Sequence, residues 1–374
     1  MVAAASVVVA VGTATGLLSA LDDRGGSDEA RPGLVSGSPS PDSLPVVPSA
    51  SEPAAPSASV PPSAKVTASP SPKKASPGPT KARPPAATRL YRYPSSQVLD
   101  WVQDNPRDRR AAVIESRIAD RPAAVWFADY APATIASRVR AVTSGGAAQD
   151  RVPVVVAYAI PDRDCGGASQ GGAPDLGAYD AWIDRFAAGL GSGEVVVVLE
   201  PDSIAQSECL SAAQRADRFA SLARAGRVLK AANPKARVYY DAGHSGWRPA
   251  AEQAALLKQA GAASAASSDG IFSNVSNFHT TAAETAYDRQ ILDALGGPPG
   301  LGAVIDTSRN GNGAPPDGEW CDPPGRKIGR APTLNTGEPR IDAYLWVKLP
   351  GESDGCKGTP GTFSPSYAYD LASR

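Results

Sequence analysis

The sequence has few residues that bind metals and almost no excess of either charge. It contains two His and four Cys among 374 residues, and no C-x-x-C pair or Cys/His cluster that could hold zinc. The 37 Lys and Arg residues balance 38 Asp and Glu residues, whereas nucleic-acid-binding domains carry a basic surface. The Gly-rich run 189–193 precedes a predicted strand instead of following one, which does not suit a nucleotide site. We therefore expect no metal and no nucleic acid partner.

The first 88 residues contain no Trp or Tyr. Residues 2–21 carry no charge and have the length of a signal-peptide core or a short membrane span, although no Lys or Arg precedes them. Residues 26–88 hold 15 of the 36 prolines, which is typical of an extended, disordered chain. We predict a signal peptide or membrane anchor over 1–25 and a disordered Pro/Ser/Ala-rich linker over 26–88. The protein would then be secreted or anchored on the extracellular face of the membrane, and its linker, basic in the second half, could tether it to an anionic cell wall.

The four cysteines fit an exported protein. Cys165, Cys209, Cys321 and Cys356 are even in number and widely spaced, as in a disulfide framework. Three pairings are possible, and the spacing alone does not choose among them.

Residues 89–374 contain all six Trp and all eleven Tyr, enough for one large domain. Short β-branched runs alternate there with Ala-rich helical patterns, which is typical of a parallel sheet covered by helices on both faces. Seven such runs in one domain fit a closed β/α barrel of the TIM type better than an open sheet. The predicted strands are 124–129, 152–160, 194–200, 237–241, 270–277, 302–306 and 342–348.

Polar side chains follow these strands, at the edge where a barrel carries its functional residues. One Asp in a loop is usually a helix cap or a turn residue, but five strand ends with an acid indicate a ring of carboxylates. Such a ring suits acid/base chemistry on a neutral substrate. In strand order the residues are Tyr158, Asp162, Arg163 and Asp164; Glu200 and Asp202; Asp241 and His244; Asn274 and Asn277; Asp306, Arg309 and Asn310; and Lys348, Glu352 and Asp354.

Three tryptophans lie at strand ends or in loops of the same region. The flat faces of Trp126, Trp247 and Trp320 are suited to stacking on sugar rings. Each of them alone would be interpreted as a packing residue. Together with the ring of carboxylates they favour a carbohydrate substrate.

Longer motifs carry a family resemblance. They are Tyr158-Ala-Ile-Pro-Asp-Arg-Asp-Cys165, Glu200-Pro-Asp-Ser203, Tyr240-Asp-Ala-Gly-His-Ser-Gly-Trp247, Asn274-Val-Ser-Asn277, Asp306-Thr-Ser-Arg-Asn-Gly-Asn312, Trp320-Cys321, and Trp346-Val-Lys348 followed by Pro350-Gly-Glu-Ser-Asp-Gly355. In this order they resemble glycoside hydrolase family 6, the inverting cellulases, and in particular its endoglucanases of actinobacterial type. The resemblance covers residues 89–374. It implies a distorted seven-stranded parallel β/α barrel that cuts β-1,4-glucan without a metal or organic cofactor, and the disulfides Cys165–Cys209 and Cys321–Cys356. We expect a monomer.

The resemblance also implies roles for single residues. Asp202 corresponds to the general acid, and Asp164 to the aspartate that raises the pKa of that acid and helps to handle the attacking water. Asp354 corresponds to the residue usually proposed as the base, a role unsettled in the family. Tyr158 corresponds to the tyrosine that crowds the sugar at subsite −1, and Ser169 to the residue that holds the water. The expected substrate-binding residues are Trp126, Arg163, Asp241, His244, Trp247, Asn277, Trp320, Lys348 and Glu352.

Three other functions fit the sequence less well. The segment Gly167-Ala-Ser-Gln-Gly171 matches the G-x-S-x-G pattern of serine esterases, but Ser169 lies nine residues beyond Ile160 instead of in a tight strand-to-helix turn. A non-catalytic glucan-binding relative would not need every carboxylate. A cellobiohydrolase of the same family needs a long loop after the base, whereas here a single residue, Gly355, separates Asp354 from Cys356. An endoglucanase is therefore the preferred prediction.

Overall fold

A single sheet of seven parallel strands organises the domain. The computed structural model describes residues 89–167 and 169–373, and the predicted signal or anchor segment and linker lie outside them. Each strand pairs with the next along the chain, which confirms the predicted parallel sheet. The strands are β1 (Val125–Phe127), β2 (Val154–Ala157), β3 (Val195–Leu199), β4 (Ala236–Asp241), β5 (Gly270–Ser273), β6 (Gly302–Asp306) and β7 (Ile341–Leu345).

Helices cover the outer face of this sheet. They are α1 (Gln97–Asp104), α2 (Ala111–Ile114), α3 (Ile135–Ala148), α4 (Leu176–Ala188), α5 (Ala212–Ala232), α6 (Ala250–Gln259), α7 (Thr281–Leu295) and α8 (Pro365–Ser373), with a π-helical turn at Glu115–Ala119 after α2. Polar side chains fix where the long ones begin: Ser211 and Gln214 form a capping box at α5, and Thr280 caps α7. Among the described helices, none combines the length and apolarity needed to cross a membrane.

Successive residues of each strand belong to two different cores. Val155 and Val197 pack outward in the cluster beneath the helices, whereas Val154, Val156 and Val198 pack inside the curled sheet. This alternation follows from the two-residue period of a strand. Both faces of the strands are therefore apolar, which explains why the strands are continuous Val-rich runs in the sequence.

The sheet curls into a barrel that is incompletely closed. No ladder joins β1 to β7 within the described ranges, but the Ala124 N–H donates to the Trp346 carbonyl at 2.9 Å. The Trp126 indole N–H donates to the Val347 carbonyl at 2.7 Å across the same seam. A third apolar cluster, formed by α1, the π-helical turn, α8 and Trp346, covers this seam. The expected distorted barrel is confirmed.

Two disulfides tie neighbouring loops at the carboxyl edge of the sheet. Cys165–Cys209 joins the loop after β2 to the loop after β3, and Cys321–Cys356 joins the loops after β6 and β7. Both pairs are those that the family resemblance implies. Each loop pair carries acidic residues of the predicted site, so the disulfides fix the positions of these acids.

Candidate active site

The five predicted catalytic residues lie in loops at the carboxyl edge of the sheet. Tyr158, Asp164 and Ser169 follow β2, Asp202 follows β3, and Asp354 follows β7. Asp164 and Asp202 have φ angles of 56° and 69°, a left-handed conformation that non-glycine residues seldom adopt and that is found most often at functional sites. The loops are thus bent sharply where they present these carboxyl groups.

Glu200 links the loops that follow β2 and β3. Its buried carboxylate accepts hydrogen bonds from the Ala159 and Ile160 N–H groups at 2.9–3.0 Å. Burial raises the pKa of Glu200 to about 7, and the hydrogen bonds from Ala159 and Ile160 oppose this shift. Because its oxygens accept these backbone N–H groups, Glu200 holds the end of β2 in place. Asp202, two residues later, is then the carboxyl group at the mouth of the barrel.

Asp202 has the electrostatics of a proton donor. Its side chain is half-buried, and no backbone N–H or cationic group bonds to it among the described residues. Burial raises the pKa of Asp202 to about 8, with further contributions from the negative charges of Asp241 and then Asp164, and the Tyr158 hydroxyl opposes the shift. A carboxyl group in this state keeps its proton near neutral pH and can act as a general acid.

Asp164, Ser169 and Tyr158 form a chain of hydrogen bonds. The Ser169 N–H and hydroxyl both donate to Asp164 Oδ2, at 2.8 and 2.9 Å. The Tyr158 and Ser169 hydroxyls also form a 2.9 Å hydrogen bond, in which either can be the donor. These groups can hold a water and pass its proton toward Asp164.

Arg163 positions this chain from behind. Its guanidinium lies over the Tyr158 ring, 4.2 Å from the ring centroid, and donates to the carbonyls of Ala128, Tyr158 and Ser169. The side chain is buried, with 8% of its surface exposed. Arg163 is predicted to bind substrate, and the structure places it beneath the catalytic loop, where its Nε and Nη1 groups donate to backbone carbonyls.

Asp354 is held between two cations. Its Oδ2 accepts a 2.6 Å hydrogen bond from Arg309, whose side chain is fully buried, and its Oδ1 lies 3.5 Å from Lys348 Nζ. The Asp322 N–H also donates to Oδ2, at 3.2 Å. These contacts fix the carboxylate in one orientation and occupy both of its oxygens.

Asp322 fixes the loop that carries Asp354. The Asp322 carboxylate accepts the Ser353 hydroxyl and the N–H groups of Asp354, Cys356 and Lys357 at 2.6–3.0 Å. Its pKa lies below the usual value because these donors outweigh the opposing effect of burial. The next residue toward the N-terminus, Cys321, is bonded to Cys356, so the same loop is held twice.

Glu352 and Lys348 lie beside this ion pair. Burial raises the pKa of Glu352 to about 7, and Lys348 and Arg309 oppose the shift. The Lys348 ammonium also donates to the Ser353 carbonyl at 3.2 Å. Both side chains are half-buried, which leaves part of each accessible to a ligand.

Aromatic side chains flank the acidic residues. Trp126 lies in β1 and meets the Tyr158 ring edge-on at 5.2 Å, while Trp247 lies beside His244 at 5.2 Å. Trp320 is 56% exposed, which is unusual for so large an apolar side chain in the described domain. Each of the three is at least partly accessible, as stacking on a sugar requires.

The two histidines stack on each other. The His244 and His279 rings are 4.3 Å apart and nearly parallel. The Gly246 N–H donates to His244 Nδ1 at 3.2 Å, so Nε2 carries the proton. Burial, with a smaller effect of His279, lowers the pKa of His244 to about 3, so this ring is neutral at ordinary pH. His279 was not among the predicted site residues.

Two other predicted substrate-binding residues have internal partners. Asp241 is 2% exposed, and its carboxylate accepts the N–H groups of Ile204, Ala205 and Gly243 at 2.9–3.1 Å. It therefore acts on the site through its charge and through the loop after Asp202, and no oxygen is directed at the cleft. Asn277 is half-buried, and its amide donates to the Val275 carbonyl at 3.3 Å.

The sequence profile of the Glycosyl hydrolases family 6 matches residues 82–370. The chain belongs to this family. It is therefore a glycoside hydrolase of the cellulase group. Its family 6 domain contains all five predicted catalytic residues and both disulfides.

Named relatives and a solved structure agree with this assignment. Endoglucanase 1 of Streptomyces sp. (strain KSM-9) is 52% identical over 273 residues, 73% of this chain and 75% of the relative. Endoglucanase A of Thermobispora bispora is 47% identical over 284 residues, 76% of this chain and 61% of the relative. The endoglucanase Cel6 from Mycobacterium tuberculosis, solved in complex with methyl-cellobiosyl-4-deoxy-4-thio-β-D-cellobioside, is similar with a TM-score of 0.71 and 38% identity, over 77% of this chain and 97% of that chain.

The family 6 site also contains residues that the sequence did not single out. In the sequence Arg309 is only one of several polar residues after the sixth strand, and no motif marks Asp322. A fully buried arginine must have an anionic partner, but its partner Asp354 lies 45 residues away in the sequence. The one available signal was the position of Asp322 directly after a cysteine predicted to bond near Asp354.

Proposed function

We propose that this chain is an inverting endo-β-1,4-glucanase that hydrolyses internal bonds of cellulose or a related β-glucan. The observation that carries the proposal is the pair of contrasting carboxyl groups at one barrel mouth. Asp202 has a pKa of about 8 and keeps its proton at neutral pH, whereas Asp354 is ion-paired with Arg309 and Lys348. Glycoside hydrolysis needs a protonated acid and an ionised carboxylate flanking the same bond.

Asp202 is the proposed general acid. It protonates the leaving glycosidic oxygen as the bond to the anomeric carbon breaks. An oxocarbenium-like centre then develops at subsite −1, where the Tyr158 ring is proposed to crowd the sugar out of its relaxed chair. Protonation lowers the barrier because a sugar alkoxide is a poor leaving group.

Water attacks from the opposite face in this mechanism and inverts the anomeric carbon. We propose that Ser169 holds this water and that its proton passes toward Asp164, because the Ser169 hydroxyl is already bonded to that carboxylate at 2.9 Å. Asp354 is disfavoured as the direct base because its Oδ2 accepts hydrogen bonds from Arg309 and the Asp322 N–H, and its Oδ1 lies beside the Lys348 ammonium. It is proposed to stabilise the positive charge of the transition state instead.

An internal mode of cleavage is supported by the loop after Asp354. This loop turns back at once: Cys356 bonds to Cys321, and the Ser353 N–H donates to the Thr362 carbonyl at 2.9 Å. A chain segment held in this way is not free to roof a tunnel. Trp126, Trp247 and Trp320 would line an open cleft in which a glucan chain can lie at any point along its length.

A serine esterase is not supported by the surroundings of Ser169. Its hydroxyl contacts Asp164 and Tyr158, whereas His244 and His279 stack on each other. A serine nucleophile needs an imidazole base within hydrogen-bond reach. We also propose that the protein is exported, because two disulfides are typical of oxidising compartments.

Viscosity and reducing ends measured together on carboxymethylcellulose test the proposal. Internal cleavage should reduce the viscosity well before many reducing ends appear. Proton NMR of the first products from a soluble cello-oligosaccharide should show the α-anomer. Processive release of cellobiose from chain ends would refute the internal mode, and an initial β-anomer would refute inversion.

A further inference from the structure

Two carboxyl groups outside the proposed catalytic set are buried together on α7. Glu284 and Asp288 are both 0% exposed. They are four residues apart on the helix, so their side chains lie one turn apart on the same face. Two ionised carboxylates in this position would repel each other without compensation by solvent.

The hydrogen bonds of this pair are incomplete. Glu284 Oε1 accepts the Ser245 N–H at 2.9 Å, and Asp288 Oδ2 accepts the Ser273 hydroxyl at 3.1 Å. The other oxygen of each group, Glu284 Oε2 and Asp288 Oδ1, has no hydrogen-bond partner among the described residues. Each of these oxygens is an acceptor without a donor, and a proton carried by either carboxyl group would supply the missing donor.

The bond to Ser245 connects the pair to the cleft. Ser245 lies between His244 and Trp247 in the loop that follows β4. Gly246 in the same loop is pressed against His279, since a Cβ there would lie 2.5 Å from the His279 ring. The loop is thus held between His279 on one side and Glu284 on the other.

We propose that Glu284 and Asp288 share one proton and position the loop 243–247, so that His244 and Trp247 are held ready to bind the glucan chain. The inference rests on the proposed function for its ligand, but the shared proton does not depend on it. Glu284 and Asp288 are positioning residues, because neither is accessible to substrate.

The pair has few charged neighbours. The charges of both acids raise the pKa of Tyr287 on α7. The charges of Asp241, at the end of β4, and Arg248, after the loop, also shift the pKa of this tyrosine. Burial raises the pKa of both Glu284 and Asp288, and the charge of Glu284 raises that of Asp288 further. The folded pair therefore holds a proton at a pH where the unfolded chain, with pKa values near 4, has released it. Stability contributed by this proton decreases as the pH rises from about 4 toward the folded pKa.

Unfolding measured at several pH values tests the shared proton without any glucan. Glu284→Gln and Asp288→Asn each place a permanent N–H donor where the proton would be, so these variants should not take up the extra proton on folding. Above the unfolded pKa values of about 4, the folding constant of the wild type should fall with rising pH relative to either variant, by up to about tenfold per pH unit. Glu252→Gln, an exposed substitution in the first turn of α6, should keep the wild-type slope. Parallel curves for wild type and both variants would overturn the shared proton.

Affinity for a thio-linked cello-oligosaccharide, measured by calorimetry at pH 6, tests the positioning role. Glu284→Met keeps the side-chain volume and removes the acceptor for Ser245, so binding should weaken roughly fivefold, as for the loss of one buried hydrogen bond. KM should rise in parallel while kcat stays within about twofold. Glu284→Gln keeps the acceptor and should restore wild-type affinity. Equal affinity of the Glu284→Met variant and the wild type would overturn the positioning role, whereas a wild type that binds no glucan at all would refute the proposed function instead.

Discussion

Replacing Asp202 by Asn should nearly abolish cellulose hydrolysis and leave the protein folded. With a pKa of about 8, about nine-tenths of Asp202 side chains are protonated at pH 7, against about one in 1,600 for an aspartate with a pKa of 3.8. The environment of Asp202 thus raises the population of the proton donor about a thousandfold. Asn cannot donate an acidic proton, so kcat on cellulose should fall by about 10² to 10⁴, the usual contribution of general acid catalysis.

The size of this loss should depend on the leaving group. Dinitrophenolate needs little protonation, so cleavage of a dinitrophenyl cellobioside should retain most of its rate in the Asp202→Asn variant. Asp354→Asn and Asp164→Asn should slow both substrates, because activation of water and stabilisation of the transition state are needed whichever group departs. Steady-state kinetics on the two substrates at pH 6 measure the difference directly.

Asp217→Asn is a suitable control, because Asp217 is an exposed carboxylate on the helix α5. This variant should match the wild type on both substrates. Two outcomes would refute the reasoning: equal slowing of both substrates by Asp202→Asn, or cellulose turnover near the wild-type rate. In that case Glu352, whose pKa is raised to about 7, would be the next candidate for the acid.

Three further predictions concern neighbours of Asp202. In the pH profile of kcat/KM, Asp164→Asn and Asp241→Asn should each lower the alkaline pKa from about 8, because a negative charge that keeps Asp202 protonated is lost; an unchanged alkaline limb would contradict this. Ser169→Ala should slow hydrolysis without abolishing it, and a fluorophosphonate should not label the wild type; covalent labelling would favour an esterase. Reducing Cys165–Cys209 or Cys321–Cys356, which span 44 and 35 residues, should lower the free energy of unfolding by about 4 kcal/mol each in the chain-entropy model. Denaturant unfolding with and without reductant measures this loss, and a loss below about 1 kcal/mol would show that the loops stay ordered without the disulfides.

The strands were predictable from the sequence because their cause is local. Each run, such as Val195–Leu199, is apolar on both faces, and both faces are covered in the structure. The incomplete closure of the barrel, where the sequence favours a closed one, was not predictable in this way, because it depends on bonds between residues over 200 positions apart, such as Trp126 and Val347. Composition and spacing likewise left three disulfide pairings open, and the family motifs were needed to choose between them.

The ring of carboxylates was visible in the sequence, but the different states of its members were not. Glu200, Asp241 and Asp306 lie at the ends of β3, β4 and β6 and look alike in the sequence, yet each accepts hydrogen bonds from backbone N–H groups of other loops. Asp354 is occupied by Arg309. Asp202 has no such donor within the described residues, and burial, together with the negative charges of Asp241 and Asp164, makes its ionisation costly. The proposed proton donor is therefore the carboxyl group that accepts no backbone N–H, and which acid that is depends on where N–H groups far away in the sequence are directed.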